Sequence, residues 1–155
     1  MNDNVFELGR KIDFVLNIQE ADKLRFQRMV DWTGTMMDLT IKERTVQIEP
    51  LRGDIYLCQL GENIGAELNK IRPVVIVSNN IGNKNASIVT VVPISHKQPS
   101  LPTHVAIESH GQLEGTALTE QMRVCSKARL TKKVGQLSPE SLKGINQAIN
   151  VSLGL

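Results

Sequence analysis

Two side chains combine reactive chemistry with a position at the end of an apolar run. Arg72 follows a polar loop, 61–70, and directly precedes Pro73 and the run PVVIVS over 73–78. A guanidinium beside such a loop either grips a phosphate through its fork of donors or snorkels at a strand end as an ordinary arginine. Ser95 closes the run SIVTVVPI over 87–94, and is either a hydrogen-bond donor or a turn residue. His96 follows it, but neighbours on a strand point to opposite faces, so the two cannot form a nucleophile–base pair. His96, His104 and His110 lack the spacing of a metal site and no carboxylate cluster lies near them, so no metal or cofactor is expected. A phosphate loop of the Walker type is absent too. Cys58 and Cys125 lack ligand spacing and are read as free thiols in a reducing cytoplasm.

The elements that must position Arg72 and Ser95 follow from hydrophobic period. From Val5 to about Ile41 there is no Pro, and apolar residues recur at helical spacing: Val5, Leu8, Ile12 and Val15 or Leu16, then Phe26, Met29 or Val30, Thr33, Met36 or Met37 and Thr40. Two helices are expected, broken near 17–22. Pro50 ends that regime. Beyond it, short β-branched runs at 54–60, 73–78, 87–94, 103–108 and 116–124 predict strands. The segment Asn79-Asn-Ile-Gly82-Asn83 between two of them reads as a turn. Strands this short, without crossover helices, predict a small antiparallel barrel. Ser138 as cap, Pro139 at the first helical position and Leu142, Ile145, Ile149 and Leu153 on one face predict a C-terminal helix.

With 155 residues, 41% hydrophobic and 22% charged, the composition is that of a folded globular chain. Aromatics are only 3%, which disfavours base-stacking platforms of the RRM or OB type. No uncharged apolar run approaches membrane-spanning length, and Asn2, Asp3 and Asn4 do not open a secretory signal, so a cytoplasmic protein is expected. Residues 1–49 carry seven Lys/Arg and nine Asp/Glu, net −2; residues 50–155 carry eleven and seven, net +4. An acidic head on a basic body is either surface scatter or the mark of a body that meets an anion.

Blocks of residues in unbroken order resemble the MazF/PemK (Kid) family of toxin endoribonucleases. They are Arg52-Gly53-Asp54-Ile55-Tyr56, Gly65-Ala66-Glu67, Arg72-Pro73-Val74-Val75-Ile76-Val77-Ser78-Asn79 and Gly82-Asn83-Lys84. Val91-Val92-Pro93-Ile94-Ser95, Leu101-Pro102-Thr103-His104-Val105, Leu118-Thr119-Glu120-Gln121-Met122-Arg123 and the closing Val151-Ser152-Leu153-Gly154-Leu155 continue the series. The resemblance implies an α+β fold: an SH3-like antiparallel barrel over 50–155 with a C-terminal helix, preceded here by a helical arm over 1–49. It further implies a homodimer, a cognate antitoxin, no cofactor, and metal-independent cleavage of single-stranded RNA at short motifs. DNA binding is expected only through an antitoxin complex, and no membrane association.

In that family an arginine and a Thr or Ser form the catalytic pair, which matches Arg72 and Ser95. Ser95 keeps the hydroxyl without the rotamer restriction of Thr. Glu67, Asn79, Lys84, Lys97, Gln121 and Arg123 are the candidates for RNA contact; Leu68 stands where many members have Gln. His104 is a tempting base but lies mid-strand, where a structural role is the alternative. Two competing readings remain open: a non-catalytic toxin such as the CcdB proteins, which bind DNA gyrase on this fold, and a decayed module that binds RNA or an antitoxin. The acidic head either packs its stripe of Phe26, Met29, Val30, Trp32 and Met36 against the barrel or the dimer, or occupies the RNA groove from within the chain.

Overall fold

The computed structural model describes residues 19–109 and 113–155, together with Glu7 and Arg10. The chain forms two compact units, residues 1–36 and 37–155. Helix α1 spans Glu20–Glu43, with Glu20 and Asp22 in its first turn and Lys42 in its last, the charge order that a helix dipole favours. The first of the two expected head helices lies outside the described residues. Of the head's stripe, Phe26 and Trp32 are half-buried, whereas Met29, Val30 and Met36 are exposed. Within the second unit, Lys42 Nζ donates to the Ala128 carbonyl at 3.0 Å and Ser126 Oγ to Glu43 at 3.3 Å. The last turn of α1 is therefore fastened beside the segment that follows residue 125.

Among the described residues, seven strands build the second unit: β1 Asp54–Gly61, β2 Lys70–Ile76, β3 Ile88–Ser95, β4 His104–Ser109, β5 Leu113–Leu118, β6 Arg123–Ser126 and β7 Leu130–Gln136. Their order is β4-β5-β3-β2-β1-β7, all antiparallel, with β6 also pairing to β3. One edge of β3 takes β2; the other takes β6 at Ile88–Val91 and β5 at Ile94 and Ser95. This double use of one strand curls the sheet into a half-barrel. Both sheet faces are buried, which is why β2 and β3 read as continuous apolar runs rather than alternating ones. Ile55, Val75, Val92, Ile94 and Ala117 meet Ile145 of the C-terminal helix on one face. Cys58, Leu60, Val74, Ile76, Val91, Cys125 and Leu130 pack together inside the curl.

Helix α3, Pro139–Leu153, starts where expected: Ser138 Oγ accepts the Ser141 N–H at 3.1 Å, and Pro139 follows. Gly154 ends it at φ 70°, a left-handed conformation suited to glycine. Leu142, Ile145 and Ile149 pack on the sheet, but Leu153 stays 55% exposed, past the sheet's edge. Three other expectations need correction. The turn at 79–83 is instead mostly the short helix α2, Asn80–Asn85, because Asn79 Oδ1 caps it by accepting the Gly82 N–H at 2.7 Å. The single strand expected at 116–124 is two strands split by a 3-10 turn, Thr119–Gln121. Strand β7 carries no apolar signal, since its middle residues Thr131, Lys132 and Lys133 face solvent and pairing to β1 holds it.

Two buried cysteines meet inside the curl. Cys58 Sγ lies 3.9 Å from Cys125 Sγ, and both are free thiols. The hydrogen bond shared with Cys125, in which Cys58 keeps the proton, and burial together push the Cys58 thiol well above its ordinary range.

Candidate active site

Strand β2 opens on a kink. Lys70 adopts φ 65°, uncommon for a side-chain-bearing residue, and faces Gly61 across a β-bulge. Two residues on, Arg72 is half-buried and pairs with Cys58. It lies on the face of β2 that carries Val74 and Ile76 into the curl, so its side chain emerges where that core ends. Its Nε donates to the Asn69 carbonyl at 3.2 Å. The four terminal N–H groups have no carboxylate partner among the described residues, so the guanidinium has donors to offer.

Ser95 is the last residue of β3 and only 6% exposed. Its Oγ accepts the Lys97 N–H at 3.3 Å. The hydroxyl proton is left free to donate. The β2–β3 ladder is registered at Val74↔Pro93, Val75↔Val92 and Ile76↔Val91. Val74 and Pro93 are the last pair of that ladder, and Arg72 and Ser95 each lie two residues beyond it, on the same face as Val74 and Pro93. Neither residue announces this placement by itself; it follows from register.

Sequence reasoning missed two supports of Ser95. Thr116 is its partner on β5, 2% exposed, and its Oγ1 donates to the Lys97 carbonyl at 2.6 Å, fixing the turn that contacts Ser95. Beside it, a Cβ on Gly115 would meet Ile94 Cγ2 at 2.7 Å and the Ser95 carbonyl at 2.8 Å. Only glycine allows β5 to approach the end of β3 this closely. A lone Gly inside a strand pattern is the signal that could have found it.

An open cleft of about 440 Å³ is lined by Glu67, Leu68, Pro93, Glu120, Gln121 and Arg123 among others, and neither Arg72 nor Ser95 is part of its lining. Pro93 joins it to the pair, since Ser95 lies two residues, about 6.6 Å, further along the same face. Glu67 accepts the Ile64 N–H at 3.2 Å, capping its own loop. Gln121 holds that loop from the opposite wall: its Oε1 accepts the Leu68 N–H at 2.8 Å and its Nε2 donates to the Ala66 carbonyl at 3.2 Å. Lys97 is exposed just past Ser95. Asn79 and Lys84 are not brought to this cleft. They lie on and before α2, past the other end of β2, roughly 20 Å from Arg72 along the strand direction.

His104 is fully engaged by protein partners. Its Nδ1 accepts the Ser100 N–H at 3.1 Å, so the proton sits on Nε2, which faces Glu120 Oε1 at 3.1 Å. A ring with both nitrogens occupied orients the start of β4 and is not available as a base. Among the described residues no three His, Cys, Asp or Glu side chains gather where they could hold a metal ion, and no helix is long and apolar enough to cross a membrane.

Fold and cleft together define a small curled antiparallel half-barrel with a polar cleft. The profile of PemK-like, MazF-like toxins of type II toxin–antitoxin systems matches residues 51–153. An endoribonuclease MazF from Staphylococcus saprophyticus subsp. saprophyticus is 41% identical over 109 residues, 67% of this chain and 91% of that protein. A mycobacterial endoribonuclease solved in complex with its cognate antitoxin is 31% identical, with a TM-score of 0.61 over 68% of this chain and 96% of that one. MazF from Deinococcus radiodurans, at 17% identity, shares the fold with a TM-score of 0.64, covering 70% of this chain and 100% of that one. The chain belongs to the PemK/MazF family of type II toxins.

Proposed function

We propose that this endoribonuclease cleaves single-stranded RNA at short motifs, without a metal, using the RNA's own 2′-OH as nucleophile. The 2′-oxygen bonds to the adjacent phosphorus while the bond from phosphorus to the 5′-oxygen breaks. A 2′,3′-cyclic phosphate and a 5′-OH result. Charge accumulates on the non-bridging oxygens of the phosphorane, and fixed donors aimed at that charge lower the barrier. Arg72 supplies its uncommitted guanidinium N–H groups to those oxygens. Ser95 donates its free hydroxyl proton to one of them. An arginine is too weakly acidic to serve as the base, so Arg72 acts by charge and geometry.

The β2–β3 register that runs toward Arg72 and Ser95 is the observation that carries this reading. A net charge of +4 over residues 50–155 supports an anionic partner. Glu67 and Arg123, which line the cleft, and Lys97, exposed just past Ser95, are the proposed RNA contacts. Asn79 and Lys84 meet RNA only beyond it. As partners we propose a second copy of the chain and a cognate antitoxin, with DNA reached only through the antitoxin complex, all in the cytoplasm. Residues 1–49 form the head and 50–155 the enzyme.

The test is cleavage of a long single-stranded RNA in EDTA, beside duplex RNA and DNA of the same sequence. Cuts confined to single-stranded RNA, with cyclic-phosphate ends at a shared motif, support the reading. Cleavage of DNA, which has no 2′-OH, or loss of cleavage in EDTA refutes it. Inhibition of DNA gyrase without any RNA cleavage favours the binder reading instead.

A further inference from the structure

We propose that Gln121 is a positioning residue, which fixes the 61–69 loop and through it the aim of Arg72. The inference rests on the reading of Arg72 given above. Gln121 ends the 3-10 turn Thr119–Gln121, and that turn is rigid. Thr119 is 1% exposed, and its Oγ1 donates to the carbonyls of Thr103 at 2.7 Å and Ala148 at 3.2 Å. From this anchor the Gln121 amide reaches across the cleft with both ends matched: acceptor to the Leu68 N–H, donor to the Ala66 carbonyl. Flipping the amide would set like against like at both contacts, so the pattern assigns its orientation.

Leu68 is the hub of the loop. Its carbonyl accepts from Asn63 Nδ2 at 2.7 Å, and its side chain packs against the core inside the curl. The next carbonyl, that of Asn69, is the one that receives Arg72 Nε. Between Asn69 and Arg72 sits Lys70 at φ 65°. A left-handed backbone at a residue with a Cβ is strained and persists only where its surroundings hold it. Gln121 grips the chain two residues upstream of that strain. Without the grip, Lys70 is free to relax and the Asn69 carbonyl moves, carrying the guanidinium with it. Both amide ends of Gln121 are thus committed to protein, which argues against its serving as an RNA contact.

Gln121→Met removes both hydrogen bonds at nearly constant side-chain volume. Gln121→Glu keeps an acceptor for Leu68 but sets an oxygen against the Ala66 carbonyl. We expect amide exchange at Leu68 to accelerate roughly tenfold or more in Gln121→Met, a loss the local opening of one hydrogen-bonded loop would give. The kcat for RNA should fall about 10–100-fold with KM within about threefold, as for a misaimed catalytic group. Gln121→Glu should retain most of the Leu68 protection and an intermediate kcat. Unchanged Leu68 exchange in Gln121→Met overturns the proposal, and so does a raised KM with unchanged kcat, which marks an RNA contact. Wild-type cleavage by Arg72→Ala sinks the catalytic reading while Leu68 exchange still tests the loop.

Discussion

Replacing Arg72 by Ala removes five N–H donors, of which one is bound to the Asn69 carbonyl and four are open to substrate. The structural loss is a single part-buried hydrogen bond, about 1 kcal/mol of stability. The catalytic loss is larger, because a preorganised donor aimed at developing charge contributes roughly 2.7–4 kcal/mol, or about 10²–10³ in rate. The variant should therefore stay folded and lose most of its cleavage. Arg72→Lys separates charge from geometry: an ammonium keeps the charge but loses the planar fork and the bond that orients it, so its rate should lie between the two. The assay is initial-rate cleavage of a fluorogenic single-stranded RNA, with circular dichroism melts run on the same preparations. If Arg72→Ala cleaves like the parent while remaining folded, the charge-stabilising role assigned to Arg72 is wrong. If Arg72→Lys matches the parent, the fork geometry and its tether to Asn69 are irrelevant.

Ile145→Ala, at a side chain with no solvent exposure between α3 and the sheet, should cost about 2–5 kcal/mol in urea unfolding. Gly115→Ala must displace Ile94 or the Ser95 backbone, and should lower the urea midpoint by the equivalent of about 1–3 kcal/mol while slowing cleavage; a variant with normal rate would show that Ser95 need not be held there. Because burial and Asp54 raise the Tyr56 phenol in the folded state, folding favours its neutral form; that contribution is complete below the unfolded phenol's pKa of about 10 and fades as pH rises above it, so urea midpoints that hold level there would contradict the assignment. Deleting residues 1–36 should reduce stability or solubility without speeding RNA cleavage; faster cleavage by a folded truncation would point to autoinhibition instead.

What the sequence discloses depends on whether burial leaves a local imprint. Strands β2 and β3 are legible because both their faces are covered, and α3 is legible because Ser138, Pro139 and Gly154 mark its ends. Strand β7 is not, since residues such as Lys132 and Lys133 face solvent and its place is set by pairing with β1. Helix α2 hides in a run of Asn and Gly that also suits a turn; the Asn79 cap decides between them. At the site, Arg72 and Ser95 stand out by residue type and by family resemblance. Their placement on one face beyond the same ladder end needs a register that no local pattern encodes. Gln121 gives still less warning, because its bond to Leu68 spans 53 residues of chain.

The pairing of β1 with both β2 and β7 has a consequence for how the protein is made. Ile55 can meet Val75 early in synthesis but waits for Gly135 to complete its other edge. Ladders between such distant segments form late, since closing a long loop costs entropy before any contact repays it. Arg72 and Ser95 are synthesised before Thr116, Gln121 and the helix bearing Ile145. A chain truncated before α3 should accordingly carry both residues and yet cleave no RNA.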